Sequence, residues 1–335
     1  MTADAAARSI QRIGIIGAGA WGTALAISAC RAGRNTVLFG RNAAMMAAIA
    51  VARENARHLP GVRLDDRIRI AGDPAQVAAA DAVILAVPSQ ELRGAAKSAL
   101  GTRLAPGTPV VIAAKGIERS SGLRLSEVVA ATLPDHPIAV ISGPGFAADV
   151  AKGLPTAVTI ASTEANLAEA LVAAMASASL RPYAETDVTG VELGGALKNV
   201  LAIAAGVVAG RQLGASAHAA LVARGFAEMR RFADAFGARS ETLMGLSGLG
   251  DLVLSCSSAQ SRNYAYGLAL GSGEAPKAAT LVEGVPTAAI VLELARQRGI
   301  SMPLTEAVAA VIAGTLSIEQ AVESLMARPL RREKD

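Results

Sequence analysis

The chain has 335 residues, long enough for two cores rather than one. With 52% hydrophobic and 18% charged residues it can bury those cores, which excludes a generally disordered chain. The net charge is only +4 and the basic residues are scattered, which argues against a nucleic-acid footprint.

The first half alternates β-rich runs with helical patterns, the mark of a parallel sheet covered by helices. Strands are predicted at residues 12–17, 36–40, 68–71, 82–87, 109–113, 138–142 and 156–161. Helices are predicted between them at 20–32, 43–57 and 123–132, and Asp73-Pro74 opens another as N-cap and first helical residue. From about Asp187 the texture changes, and helical runs follow at 188–208, 217–236, 264–270, 286–298 and 305–313. Gly237, Gly299 and Gly314 stand as stops after three of these. The expected fold is a Rossmann-type, doubly wound α/β domain over residues 1–187, followed by an all-α domain over 188–335.

Stretch 13–30 carries no charge and ends Ile27-Ser28-Ala29-Cys30, which taken alone reads as an export signal or a marginal membrane span. Gly14, Gly17, Gly19 and Gly22 puncture it at the spacing of a phosphate-binding turn, and that reading is preferred. A cytoplasmic protein without an integral membrane segment is expected. Cys30 and Cys256 offer no disulfide framework or metal spacing, and His58, His136 and His218 are equally dispersed, so no metal site is expected.

Gly17-Ala18-Gly19-Ala20-Trp21-Gly22 follows a strand and opens a helix. The first glycine permits the turn, the second lets backbone approach a pyrophosphate, and the third lets helix pack on strand. The helix start then offers free N–H groups and its positive dipole end to phosphates. The second strand ends Leu38-Phe39-Gly40-Arg41-Asn42, without the acid that usually holds a ribose 2′-hydroxyl. Arg41 could instead grip a 2′-phosphate, so NADP(H) is favoured and NAD(H) stays open; the plain alternative is a solvated arginine.

Val87-Pro88-Ser89, Lys115-Gly116 and Gly143-Pro144-Gly145-Phe146-Ala147 end later strands, where ligands of open parallel sheets bind. Of 32 basic residues only 6 are lysines, so each lysine is a candidate for work that arginine cannot do. Lys198 follows Gly194 and Gly195 on one helix face. Their missing side chains either open room beside the lysine or serve helix packing. Ser261-Arg262-Asn263, before a helical run, suits a phosphate or is an ordinary cap.

Together with Ile141-Ser142-Gly143-Pro144, Gly248–Leu254 and Val282-Glu283-Gly284, these segments resemble the bacterial NAD(P)-dependent glycerol-3-phosphate dehydrogenase family from about residue 12 to residue 327. The resemblance implies interconversion of dihydroxyacetone phosphate and sn-glycerol 3-phosphate, a supply step for phospholipid synthesis, by hydride transfer between nicotinamide C4 and the C2 carbonyl. It implies Lys198 as catalytic proton carrier, and Lys115, Gly143, Gly145, Asp251, Ser261, Arg262 and Asn263 as further substrate positions. It implies cofactor contacts at Gly17, Gly19, Ala20, Trp21, Gly22, Arg41, Pro88, Lys115, Ala147, Arg262, Leu281 and Glu283. Ala20 and Gly145 depart from the hydroxyl or amide residues common there. Lys115, if close, would depress the Lys198 pKa, and Asp251 would position substrate or lysine. The small-molecule substrate is the expected partner, and a homodimer stays open. Two rival readings are a related two-domain hydroxy-acid dehydrogenase and a non-catalytic NADP(H)-sensing module.

Overall fold

The computed structural model describes residues 10–275 and 281–329. Eight strands form one sheet: β1 (Arg12–Ile16), β2 (Asn35–Phe39), β3 (Arg69–Ala71), β4 (Ala82–Leu85), β5 (Val110–Ile112), β6 (Ile138–Ser142), β7 (Thr156–Ala161) and β8 (Leu180–Glu185). Their order is β3-β2-β1-β4-β5-β6-β7-β8. All neighbours run parallel except β6 and β7, which pair antiparallel with Val140 opposite Ala161. The sheet is therefore mostly rather than wholly parallel.

Helices α1 (Ala20–Arg31), α2 (Ala43–Ala52), α3 (Ala75–Ala78), α4 (Leu92–Ala95), α5 (Leu125–Thr132), α6 (Ala147–Lys152) and α7 (Ala165–Met175) connect these strands. Further along come α8 (Val188–Gly210), α9 (Ala215–Asp234), α10 (Ser240–Met244), α11 (Asp251–Cys256), α12 (Arg262–Ser272), α13 (Gly284–Gln297), α14 (Pro303–Ile312) and α15 (Ile318–Met326).

By packing, the chain divides into two compact units. One comprises residues 1–195 and 237–251, the other residues 196–236 and 252–335. The division falls inside α8 and returns through 237–251, unlike the single cut after residue 187 read from composition.

In the first unit the strand side chains alternate between two apolar layers. Ala82, Ile84 and Val111 join Ile13, Ile15 and the α1 residues Leu25 and Ile27 on one face. Val83, Leu85, Val110 and Ile112 join Val77, Leu92, Leu125 and Val128 on the other. Both faces are dry, so polar chemistry is confined to strand ends and loops. Cys30 is buried within α1, in the first of these layers.

Several elements differ from the sequence reading. β8 escaped it because Arg181, Pro182 and Tyr183 interrupt the apolar run. Its burial alternates, and its single ladder, with β7, puts it at the sheet edge, where proline is tolerated. Helix α2 stops at Ala52 rather than 57, because Arg53 turns left-handed at φ 51° and donates its N–H to Ile49 O. The Arg53 guanidinium then donates to Ile68 O at 2.9 Å. Also unread were α7 and α15; Ser317 and Gln320 form the capping box that starts α15.

The second unit is helical. Gly206 and Gly210 of α8 meet Gly267 and Gly271 of α12. A Cβ on Gly206 would lie 2.1 Å from Tyr264 O, and one on Gly267 would lie 2.0 Å from Ile203 O. The two helices thus touch backbone to backbone. Glu228, buried in α9, accepts from Leu304 N at 2.6 Å and Thr305 N at 3.2 Å and so caps α14. One helix, Val188–Gly210, is long and apolar enough to cross a membrane by length and composition, and 83% of its most apolar window is buried inside the protein.

Glu192 gives the first unit a titratable fastening. Its carboxylate accepts from the backbone N–H of Ser126 at 2.7 Å and from the Ser126 hydroxyl, with an Arg124 nitrogen 3.6 Å away. Burial outweighs these partners and pushes the carboxyl up to about 7 from an ordinary 4.5. The folded protein therefore holds this proton more tightly than the unfolded chain. That stabilisation is complete below the unfolded value and is lost as pH rises through the folded one. Between about pH 5 and about pH 8 the urea midpoint of the wild type should fall relative to Glu192→Gln, which has no proton to lose. Parallel midpoints across that range would contradict the assignment.

Candidate active site

The strand order seats β1 between β2 and β4, the switch point at which open α/β sheets bind ligands. Each glycine of the turn after β1 has its own reason. Gly17 has φ +115°, and a Cβ there would lie 2.4 Å from Ala86 O. A Cβ on Gly22 would lie 1.9 Å from Gly17 O, whereas one on Gly19 would meet nothing within 4 Å. Helix α1 begins with no side-chain cap and no acidic residue in its first turn. The Trp21 indole N–H is buried without a hydrogen-bond partner among the described residues. Uncapped donors, open space at Gly19 and an orphaned donor at Trp21 fit a dinucleotide phosphate.

On one side of this turn, Arg41 follows β2, its backbone held between Gly40 and the α2 cap. A Cβ on Gly40 would lie 2.9 Å from both Ala18 Cβ and Met46 Sδ, and Asn42 Oδ1 accepts from Met45 N at 2.9 Å. On the other side, Pro88 and Ser89 leave β4. Glu91, which sequence reasoning passed over, reaches Arg41 Nη1 at 2.6 Å. No nearby apolar pattern or spacing marks Glu91; only the sheet order connects the two.

Lys115 leaves the end of β5. Its Nζ donates to Gly143 O at 3.2 Å and to the Asp251 carboxylate, whose side chain is only 3% exposed. Asp251 is therefore bonded to Lys115. Gly143 has φ +145°, and a Cβ there would stand 2.9 Å from Val158 Cα. At Gly145 a Cβ would crowd Thr156 Cγ2 at 3.2 Å, while the Trp21 ring lies at ordinary contact distance, 3.6 Å. Ala147 is the first residue of α6.

The space left by Gly194 and Gly195 is filled by protein. A Cβ on Gly194 would stand 2.8 Å from Ser247 O, and one on Gly195 would stand 2.9 Å from Ser142 Oγ and 3.4 Å from the Lys115 stem. These two glycines serve close packing, the plainer of the two sequence readings. Ser142, which the sequence offered within Ile141-Ser142-Gly143-Pro144 but without a role, has a buried hydroxyl with no partner among the described residues.

In the second unit, Lys198 is half-buried and donates from Nζ to Ser255 Oγ at 2.7 Å. Ser255 was missed, although it lies four residues after Asp251 in the same short helix. The predicted Ser261-Arg262-Asn263 segment opens α12. Ser261 Oγ accepts from Tyr264 N and is the N-cap. Asn263 Nδ2 donates to Asn199 Oδ1 at 2.9 Å, and Asn263 Oδ1 accepts from Gly284 N at 2.9 Å. Arg262 is exposed and has no ion pair among the described residues. Leu281 is 44% exposed, and Glu283 precedes α13 as its N-cap residue. Among the described residues no group of three His, Cys, Asp or Glu could hold a metal ion.

A family model described as the NAD-dependent glycerol-3-phosphate dehydrogenase N-terminus matches residues 12–168, and its C-terminal counterpart matches residues 187–323. The chain is 57% identical over 324 residues to a Bradyrhizobium protein named glycerol-3-phosphate dehydrogenase (NAD(P)+), covering 97% of this chain and 98% of that one. It is 56% identical over 325 residues to the Afipia carboxidovorans protein of the same name, covering 97% and 99%. A crystal structure of glycerol-3-phosphate dehydrogenase from Coxiella burnetii superposes with a TM-score of 0.88 at 36% identity, covering 95% of this chain and 99% of that one. Motifs, fold and full-length likeness agree, and the chain belongs to the NAD-dependent glycerol-3-phosphate dehydrogenase family.

Proposed function

We propose that the chain reversibly reduces dihydroxyacetone phosphate to sn-glycerol 3-phosphate for glycerophospholipid synthesis. The observation that carries this reading is the likeness to dehydrogenases of that name over 97% of the chain. A nicotinamide dinucleotide, when bound, supplies the hydride delivered to C2. Gly17, Gly19, Ala20, Trp21 and Gly22 hold its pyrophosphate, with Pro88, Lys115, Ala147, Arg262, Leu281 and Glu283 as further contacts. NADP(H) is favoured through Arg41, and NAD(H) is accepted.

Lys198, as an ammonium, polarises the C2 oxygen and gives it a proton, and in the oxidative direction takes one back. Ser255 accepts from Lys198 Nζ and so aims the group. Lys115 uses two of its three donors on Gly143 O and Asp251, which leaves one for a substrate oxygen. Gly143 and Gly145 can offer only backbone. Ser261 and Asn263 are engaged in capping and bracing. The charge on the substrate phosphate therefore falls to Arg262, assisted by the N–H groups at the start of α12.

We assign residues 1–187 mainly to cofactor binding and 188–335 mainly to substrate and catalysis, with Lys115, Gly143 and Gly145 of the first reaching substrate and Arg262, Leu281 and Glu283 of the second reaching cofactor. Cytoplasmic location is supported by the burial of Cys30 in α1, since cleavage there would remove β1 and the glycine turn. A homodimer is compatible with this reading. Oxidation of NADPH dependent on dihydroxyacetone phosphate is the direct test, and its absence in folded protein would refute the assignment.

Dihydroxyacetone without its phosphate should be a very poor substrate, because phosphate binding positions the carbonyl for attack. Comparable kcat/KM for the two ketones would remove the anion site at Ser261-Arg262-Asn263.

Lys198→Met separates binding from chemistry. Met keeps similar length but loses the ammonium and its proton. We expect kcat to fall by roughly 10²–10⁴-fold, with NADPH affinity near that of the wild type. A folded variant whose kcat stays within about threefold of wild type would exclude Lys198 as the acid and leave Lys115 as the candidate.

A further inference from the structure

Among the polar groups that the proposed mechanism leaves unused, Glu91 occupies the most consequential place. Its backbone is fixed: Glu91 N donates to Pro88 O at 2.9 Å, and the next residue, Leu92, is fully buried. On the preceding residue, Gln90 donates to Ile117 O at 2.8 Å and accepts from Arg119 N at 2.9 Å. Arg41 is fixed just as firmly by Gly40 and the α2 cap. Both side chains nonetheless stand in solvent, 84% exposed for Arg41 and 49% for Glu91. Strand order β2-β1-β4 sets their supports on opposite sides of the glycine turn. The ion pair therefore joins the two banks of the dinucleotide crevice at the end where β2 finishes, which in this class of fold is the adenosine-ribose end.

We propose that Glu91 sets the cofactor preference of this enzyme by competing with the 2′-phosphate of NADP(H) for Arg41. This rests on the reading that Arg41 receives that phosphate. With no 2′-phosphate present, Glu91 occupies a guanidinium N–H that the phosphate would otherwise take. A bound 2′-phosphate has to displace that carboxylate and then lies beside its negative charge. The ribose 2′-hydroxyl of NAD(H) meets no such conflict, because it can donate to a Glu91 oxygen while Arg41 stays paired. The strand-end acid expected of an NAD site is absent from β2, and Glu91 brings a carboxylate to the same crevice from the turn after β4. One crevice thus presents a cation for the phosphate and an anion for the hydroxyl, tied together.

Dissociation constants for NADPH and NADH, measured by titration calorimetry without ketone, test this in wild type, Glu91→Gln, Arg41→Ala and the double variant. Glu91→Gln should raise the NADPH preference by about two- to fivefold, the range of an exposed ion pair. Arg41→Ala should lower it by roughly tenfold or more. In the Arg41→Ala background the Glu91→Gln shift should shrink towards nothing, because the contested group is gone. An unchanged preference in Glu91→Gln, with Arg41→Ala behaving as expected, overturns the role of Glu91 alone. A shift that persists in full without Arg41 overturns the competition and leaves simple repulsion. If Arg41→Ala leaves the preference unchanged, Arg41 does not receive the 2′-phosphate, and the proposal falls with that reading.

Discussion

Gly17 lies so close to β4 that a Cβ on it would stand 2.4 Å from Ala86 O, and Gly22 closes on Gly17 O in turn. These two backbone contacts lock the end of β1, the start of α1 and the exit of β4 into one rigid corner. The glycine turn to which we assign the cofactor pyrophosphate is part of that corner. The uncapped first turn of α1 faces outward from it, and Arg41 and Glu91 flank it. Trp21 extends from it to pack on Gly145. Because both sheet faces are filled with aliphatic side chains, no polar group can work anywhere except along this rim.

The two lysines to which we assign roles in the reaction are each held by a named partner. Lys115 is neutralised by a nearly buried carboxylate and anchored to a backbone carbonyl, which leaves it a fixed donor with one direction to offer. Lys198 donates to the Ser255 hydroxyl, which fixes the direction of its ammonium.

How much could be read from the chain follows the range of the interaction. The glycine turn and the strand–helix alternation are local, and they stood in the sequence at the right places. The Lys115–Asp251 bond joins residues 136 apart, so both could be singled out as candidates but not paired. Glu91 was invisible for the same reason: its partner is 50 residues away, across two strands. Gly194 and Gly195 showed the opposite difficulty. Their presence was obvious, but whether the missing side chains made room for ligand or for protein depended on Ser247, Ser142 and Lys115 arriving from elsewhere. Edge strand β8 was lost because half-exposed strands with proline lack the apolar run that marks buried ones.

Trp21 is the single tryptophan of the chain, and it sits in the first turn of α1, beside the glycine turn to which we assign the cofactor pyrophosphate. Its indole packs near Gly145, and its N–H is buried without a partner among the described residues. Indole emission from this protein therefore comes from one known place. With no second tryptophan to dilute the signal, quenching or energy transfer to a reduced nicotinamide reports on the glycine turn itself. On the proposed cofactor site, the enzyme carries an intrinsic optical probe of occupancy, and it needs no label.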